Sequence, residues 1–326
     1  MIFRLPIIVV LSLCAFMKTY AQQDPQFSQY MFNKMLLNPA GAGSKGRVNV
    51  NAFYRAQWLN LPGAPTTIGL LVDAPIAGKG IGIGLGVFET KTANLKFTRV
   101  NTNYSYKIRI QETSSFTFGL QAGVVQYSVN TDDLRLRDPI EEDQTFSASN
   151  LTQIIPDFGF GLMFRAESFF LGLSIPHLLQ SKVKFLNTTL AKPDSTKDIY
   201  ARVFRHYYLT GGYTIPINYD LSIQPSFIIR YVQGAPIGSD VNVNASYKNL
   251  IWAGAGIRTS NSKALILILG LNAGKAINQQ ILFGYSYDAT IDKTAFYGGA
   301  THEVMVNYMF KPSASKKKSN KPFFIK

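Results

Sequence analysis

The sequence is short of cysteine, of acid and of long apolar runs, and each shortage closes off a class of function. Its one cysteine, Cys14, lies within the apolar stretch Leu5 to Met17, which follows Arg4 and ends at Thr19-Tyr20-Ala21. This pattern reads as a secretory leader over residues 1–21, cleaved after Ala21. Leu13, ahead of Cys14, is too large for a lipidated-cysteine signal. The chain beyond the leader then has no thiol, which excludes disulfides and thiolate metal sites. No stretch approaches the roughly 20 apolar residues that a helical membrane span requires.

Acid is scarce as well: 19 Asp and Glu stand against 33 Lys and Arg, a net charge of +14. Arg4 and Lys18 leave with the leader, so the mature chain carries +12. No aromatic-basic motif accompanies this excess, and export removes nucleic acid as a partner. The charge suits anionic lipopolysaccharide, peptidoglycan or an acidic protein.

Catalytic patterns are missing too. Three histidines, His177, His206 and His302, are scattered. Thr301-His302-Glu303 lacks the second histidine of a zinc-protease helix, and Gly172-Leu173-Ser174-Ile175-Pro176 lacks the second glycine of a nucleophile elbow. The run Gly78 to Gly86 resembles a phosphate loop, but Gly80, Gly82, Gly84 and Gly86 alternate with Ile81, Ile83 and Leu85 and continue into Val87 and Phe88. That is a strand with glycine on one face. Neither an enzyme, a metal nor a cofactor is expected.

What the sequence has in quantity is period-2 alternation. Charged residues are only 16% and aromatics 13%, which suits a wall with lipid outside and water inside. Val48, Val50, Ala52 and Tyr54 alternate with Asn49, Asn51, Phe53 and Arg55. Val100 to Arg109, Leu221 to Tyr231 and Val241 to Lys248 behave alike. About fourteen such segments run near 47–57, 66–73, 80–91, 96–109, 114–128, 157–166, 168–176, 203–215, 219–232, 240–248, 250–259, 263–273, 279–288 and 301–310. An even number of ten-residue strands predicts a closed antiparallel transmembrane β-barrel over residues 46–310. Aromatics such as Tyr104, Tyr106, Tyr127, Tyr207, Tyr208, Tyr285 and Tyr287 lie near strand ends, where interfacial girdles belong.

Odd-numbered connections hold the long loops 129–156, 177–202 and 289–300. This parity predicts that they face outward and that both termini are periplasmic. The first long loop concentrates acid, with Asp132, Asp133, Asp138, Glu141, Glu142 and Asp143 as candidate contacts. The second carries Lys182, Lys184, Lys192, Lys197 and Arg202. The tail, 311–326, is lysine-rich without acid, and Lys316, Lys317 and Lys318 are candidate contacts for an anionic periplasmic neighbour.

Residues 22–45 break the strand pattern. Asp24-Pro25 suits a helix start and Asn38-Pro39 a stop, while Phe27, Tyr30, Met31 and Met35 recur at helical spacing. The expectation is a short helix whose apolar face needs a host: the lumen, the membrane interface or a partner. The glycine face of strand 80–91 favours the lumen.

These residues also carry a resemblance. Asp24-Pro25-Gln26-Phe27-Ser28-Gln29-Tyr30-Met31-Phe32-Asn33, Leu36-Leu37-Asn38-Pro39-Ala40-Gly41-Ala42-Gly43, Tyr54-Arg55-Ala56-Gln57-Trp58, Gly63-Ala64-Pro65-Thr66-Thr67 and Thr301-His302-Glu303-Val304-Met305 resemble the PorP/SprF family of Bacteroidetes outer-membrane proteins. The resemblance implies a non-catalytic accessory of the type IX secretion system, needed to export large cell-surface proteins such as gliding adhesins. Its partners would be the secreted client or its C-terminal signal, the secretion or gliding machinery, and outer-membrane lipid. The different reading is an outer-membrane transporter for small hydrophobic solutes, whose barrel also has a plug.

Overall fold

The computed structural model describes residues 24–130, 151–184, 200–259, 262–275, 280–292 and 295–310. The proposed leader, acidic loop 132–143 and lysine tail therefore lie outside the described residues. The alternating segments form one antiparallel sheet that closes on itself into a 14-strand barrel. Seven staves come first: β1 (Asn49–Ala56), β2 (Thr66–Ile76), β3 (Ile81–Thr92), β4 (Leu95–Arg109), β5 (Ser115–Val129), β6 (Leu151–Arg165) and β7 (Phe169–Ile175). β10 (His206–Tyr213) and β11 (Ile215–Pro216) share the eighth position, interrupted at Thr214. β12 (Leu221–Val232), β13 (Gly238–Tyr247), β14 (Ile251–Arg258), β15 (Ala264–Asn272), β16 (Gln280–Thr290) and β17 (Thr301–Met309) complete the wall. Closure is made by β1 on β17, with Asn49 opposite Met309, so the sheet has no open edge strand, as a hydrocarbon surround demands.

Three strand boundaries depart from the sequence expectation by three residues or more: β2 runs on to Ile76 instead of ending at 73, and the starts of two later strands move. β6 begins at Leu151, not 157, and runs through Pro156. β7 pairs β6 only from Phe160 onward, so Pro156 sits where β6 has a free edge and its missing N–H breaks no ladder. β10 starts at His206, three residues later than expected. Between β7 and β10, β8 (Lys182–Lys184) and β9 (Tyr200–Arg202) form a small separate sheet. Val183 and Val203 there pack on the inward residues Val125 and Ile155. The tall β4–β6 side of the barrel thus leans over one mouth. That mouth, which carries the long connections, is the long-loop mouth; the opposite one is the short-turn mouth.

The two faces of the wall are inverted relative to a soluble protein. Outward positions are apolar and exposed, among them Ile68, Leu70, Leu85, Leu120, Val241, Val243, Leu267 and Leu269. Inward positions are polar and buried: Asn49, Asn51, Asn101, Asn103, Asn242, Asn244, Ser286 and Asn307 are all 3% exposed or less. The expected water-filled interior is instead packed. Tyr127 and Tyr208 also depart from the girdle expectation, since both point inward: Tyr127 stacks near Phe97 at 6.0 Å, and Tyr208 is buried.

Candidate functional site

The lumen is filled by the chain's own residues 24–46, which run from one mouth to the other. Asp24 lies at the long-loop mouth beside His206, the first residue of β10. Ser28 and Gln29 meet Glu303 of β17. Asn38 lies against β6 and β7, its Nδ2 donating to Leu162 O at 2.9 Å and Leu173 O at 3.1 Å. Gly43 N donates to Asp73 Oδ2 at 2.9 Å, and Lys45 Nζ to Asn49 Oδ1 at 3.1 Å, where β1 begins at the short-turn mouth. Glycines mark the route. A Cβ on Gly82 would overlap the Ala42 carbonyl, one on Gly84 the Met35 sulfur, and one on Gly119 the Pro39–Ala40 peptide. Of the glycine face foreseen on β3, Gly82 and Gly84 meet the segment, whereas Gly86 faces Asn101 and Leu71 and Gly80 lies in the turn before the strand.

The segment is not the expected helix. Among its described residues are three single 3₁₀ turns, Tyr30–Phe32, Lys34–Leu36 and Pro39–Gly41. Its apolar groups do not share one face either. Phe27 and Met35 pack with Phe53 and Leu71, while Tyr30, Met31 and Phe32 pack on the opposite wall with Trp252, Ile266, Ile268 and Met305. The physical reason is that the wall supplies hydrogen-bond partners that a helix would otherwise take from its own backbone. Ser28 N donates to Glu303 Oε2 at 2.9 Å, Gln29 N to Glu303 Oε1 at 3.0 Å, and Gly43 N to Asp73 Oδ2 at 2.9 Å.

Two charged networks hold the segment near the long-loop mouth. The first joins Arg55, Arg230 and Arg258 to Asp240, Asp288 and Glu303, three charges of each sign. Asp288 Oδ2 accepts from Arg55 Nη2 at 2.8 Å and Arg258 Nη1 at 2.9 Å. Glu303 Oε2 accepts from Arg55 Nη1 at 2.9 Å, and Asp240 from Arg230 at 2.6 Å and Arg258 at 2.9 Å. Ser28 is the centre: its hydroxyl donates to Asp288 and accepts from Arg55 and Arg258. Buried charges persist only when paired and hydrogen-bonded in this way.

The second network anchors Asp24. His177, just past β7, directs Nδ1 to Asp157 Oδ1 at 2.8 Å and Nε2 to Asp24 Oδ2 at 3.0 Å. Arg99 Nη2 donates to Asp24 Oδ1 at 3.1 Å, and Tyr208 OH to Asp24 Oδ2 at 3.3 Å. Burial alone would push the His177 imidazole down, but the Asp24 carboxylate and the hydrogen bonds to Asp157 and Asp24 raise it to about 9 despite Arg99. Asp24, His177 and His206 gather three ligand-type atoms within 4.8 Å of one another. They do not suit a metal, because the Arg99 guanidinium already sits 3.1 Å from both Asp24 Oδ1 and His177 Nε2. Two cations and two carboxylates balance there without an ion. Sequence reading named His177 only as one of three scattered histidines and missed its pairing, since no spacing links it to Asp24.

The other motif residues separate into two roles. Glu303 points inward to Ser28, whereas neighbouring His302 points outward, its Nδ1 2.7 Å from Tyr285 OH. Asn38 and Pro39 are buried in the segment, and Gln26 lines a small cleft with Asp24, His206 and Tyr208. Gln57, Trp58, Gly63, Ala64 and Pro65 build the β1–β2 loop at the long-loop mouth. Gln57 N donates to Pro65 O at 2.9 Å, Ala64 N to Leu61 O at 3.1 Å, and Ala93 N to Gly63 O at 2.8 Å. Trp58 takes φ +51°, a left-handed turn that bulky residues rarely adopt.

The sequence profile described as type IX secretion system membrane protein PorP/SprF matches residues 19–308. The chain belongs to the PorP/SprF family. No curated protein sequence matches this PorP/SprF chain. Solved barrels resemble its fold. The CymD monoaromatic hydrocarbon channel aligns over 87% of this chain and 93% of its own, at 10% identity and a TM-score of 0.50. A Pseudomonas aeruginosa FadL homologue aligns over 89% and 96% at 13% identity, TM-score 0.45. The KdgM porin aligns over 81% and 100% at 13% identity, TM-score 0.39. This PorP/SprF protein is thus an outer-membrane-type β-barrel of a type IX secretion family.

Proposed function

We propose that this PorP/SprF chain is a non-catalytic docking platform of the type IX secretion system. It holds a large exported protein, such as a gliding adhesin or its C-terminal signal, at the long-loop mouth, which faces the cell exterior. The observation that supports this reading is the filled lumen. A barrel whose interior is occupied by residues 24–46, tied at both mouths, is suited to presenting surface and not to passing a client. Among the described residues, one cleft at each mouth has a volume of about 10 Å³, room for one water, whereas small-molecule sites span roughly 300–1,000 Å³. Transport of small hydrophobic solutes, the other reading, draws no support from a fold shared at 10% identity.

The long-loop mouth also offers apolar surface on an ordered base. Leu59 and Leu61 of the β1–β2 loop are 56% and 42% exposed. Leu59 N and Asn60 N are pinned to Ala300 O and Gly298 O, each at 3.1 Å. Tag-based purification from native membranes in mild detergent, followed by mass spectrometry, tests the proposal. Co-recovery of secretion components and a large surface protein is expected, with loss of the surface protein in Leu59→Glu/Leu61→Glu. Recovery of the barrel alone, together with solute-dependent conductance in planar bilayers, would refute it.

A further inference from the structure

The two charged networks at the long-loop mouth each balance; among the described residues of the short-turn mouth, cations outnumber the acids Asp73, Glu112, Glu167 and Asp220, the last of which faces Lys248. Lys34 and Arg165 line one notch there with Ser168, Phe170, Thr214 and Gln224. No carboxylate is among its walls. Glu167, in the turn between β6 and β7, is exposed to solvent and outside the notch. Asp73, an acid nearby, is already held by Asn49 Nδ2 at 2.6 Å and by Gly43 N. Lys107 and Arg109, at the end of β4, add further positive charge to this mouth.

The two cations are only partly satisfied. Arg165 Nη1 donates to Ser44 O at 2.9 Å, which fixes the guanidinium, but Nη2 is buried with no hydrogen-bond partner. Lys34 Nζ lies 3.8 Å from the centre of the Phe170 ring, a cation–π contact that leaves its donors unspent. Gln224, 1% exposed, has a side-chain oxygen without a partner. Holding two like charges together at a low-dielectric site is costly unless an anion joins them or the ammonium gives up its proton, and a bound anion would keep Lys34 charged. A fixed guanidinium, an ammonium and the Ser168 hydroxyl form the donor set that phosphate oxygens favour.

We propose that the notch between Lys34 and Arg165 binds a phosphate group, one of whose oxygens enters it while the remainder stays at the open mouth. The chemistry is common to free phosphate and to a phospholipid headgroup. Because Lys34 belongs to the lumenal segment and Arg165 to the wall, the anion also ties the two together.

The test uses the full mature barrel in a zwitterionic detergent. Inorganic phosphate is titrated and followed by ³¹P line broadening and by the temperature at which the folded band is lost on gels. In parallel, native mass spectrometry measures retention of phosphatidylglycerol against a galactolipid without phosphate. Lys34→Met and Arg165→Gln should each weaken binding about tenfold or more, as loss of one charge-assisted hydrogen bond implies, while Lys34→Arg retains it. Binding of inorganic phosphate with that variant pattern supports the site and names free phosphate as its source. Selective retention of phosphatidylglycerol with the same pattern supports it and names lipid. Binding in neither arm, or binding equal in the wild type, Lys34→Met and Arg165→Gln, overturns it.

Discussion

Replacing Asp288 by asparagine tests whether the first charged network holds the lumen together. Asp288 is buried and accepts from Arg55, Arg258 and Ser28. Asparagine keeps one carbonyl oxygen and no charge, so three arginines would face two carboxylates. Two charge-assisted hydrogen bonds, each worth about 1.5–3 kcal/mol, are weakened, and breaking a buried ion pair costs about 3–5 kcal/mol. These overlap, and the expected loss is about 3–5 kcal/mol. The assay is a urea titration of folding into lipid vesicles, scored by the mobility difference of folded and unfolded bands. A charge-balanced variant, Arg258→Met with Asp288→Asn, leaves the Arg55–Glu303 and Arg230–Asp240 pairs intact. It should lose less than the sum of the two single changes by about 1 kcal/mol or more. A loss under about 1 kcal/mol for Asp288→Asn, with strict additivity in the double variant, would show that water satisfies these charges and that the reasoning is wrong.

Asp24 and Met309 lie at opposite mouths, which departs from the expectation that both ends share one side. With Cys14 as the sole native cysteine, Gln26→Cys and Ser313→Cys should react with a membrane-impermeant maleimide from opposite faces; labelling of both in intact cells would contradict this. The raised value of about 9 for His177 means that its contribution is fully present below about pH 6.5 and is lost as pH rises through 9. Thermal stability should fall between pH 7 and 10 more steeply in the wild type than in His177→Gln, and equal slopes would refute the ion pair. Gly119→Leu places a side chain in the Pro39–Ala40 peptide, which should cost about 1–3 kcal/mol by overpacking and raise protease cleavage within residues 24–46; unchanged cleavage would mean that the segment does not pass there.

The wall was legible because strand alternation is local. Asn101, Asn103 and Ser105 differ from Tyr104 and Tyr106 by side-chain type alone, and closure turns the first set inward. The Gly82 and Gly84 face announced a close neighbour for the same reason. Residues 24–38 misled because the helical spacing of Phe27, Tyr30, Met31 and Met35 is also local, whereas their hosts are not. Phe53 and Leu71 lie on one wall and Trp252 and Ile268 on the other, and a chain between two walls gains more from reaching both than from a single apolar stripe.

By itself the sequence determined the strands, which face of each points outward, and the family motifs, since each is written in neighbours a few residues apart. Only the tertiary structure decided what fills the lumen and which charges pair. His177 and Asp24 are 153 residues apart, and Ser28 and Glu303 275. No local pattern couples such distances. Closure of β1 on β17 and the register of the whole wall bring them together, and the low dielectric of the packed interior then makes their pairing obligatory.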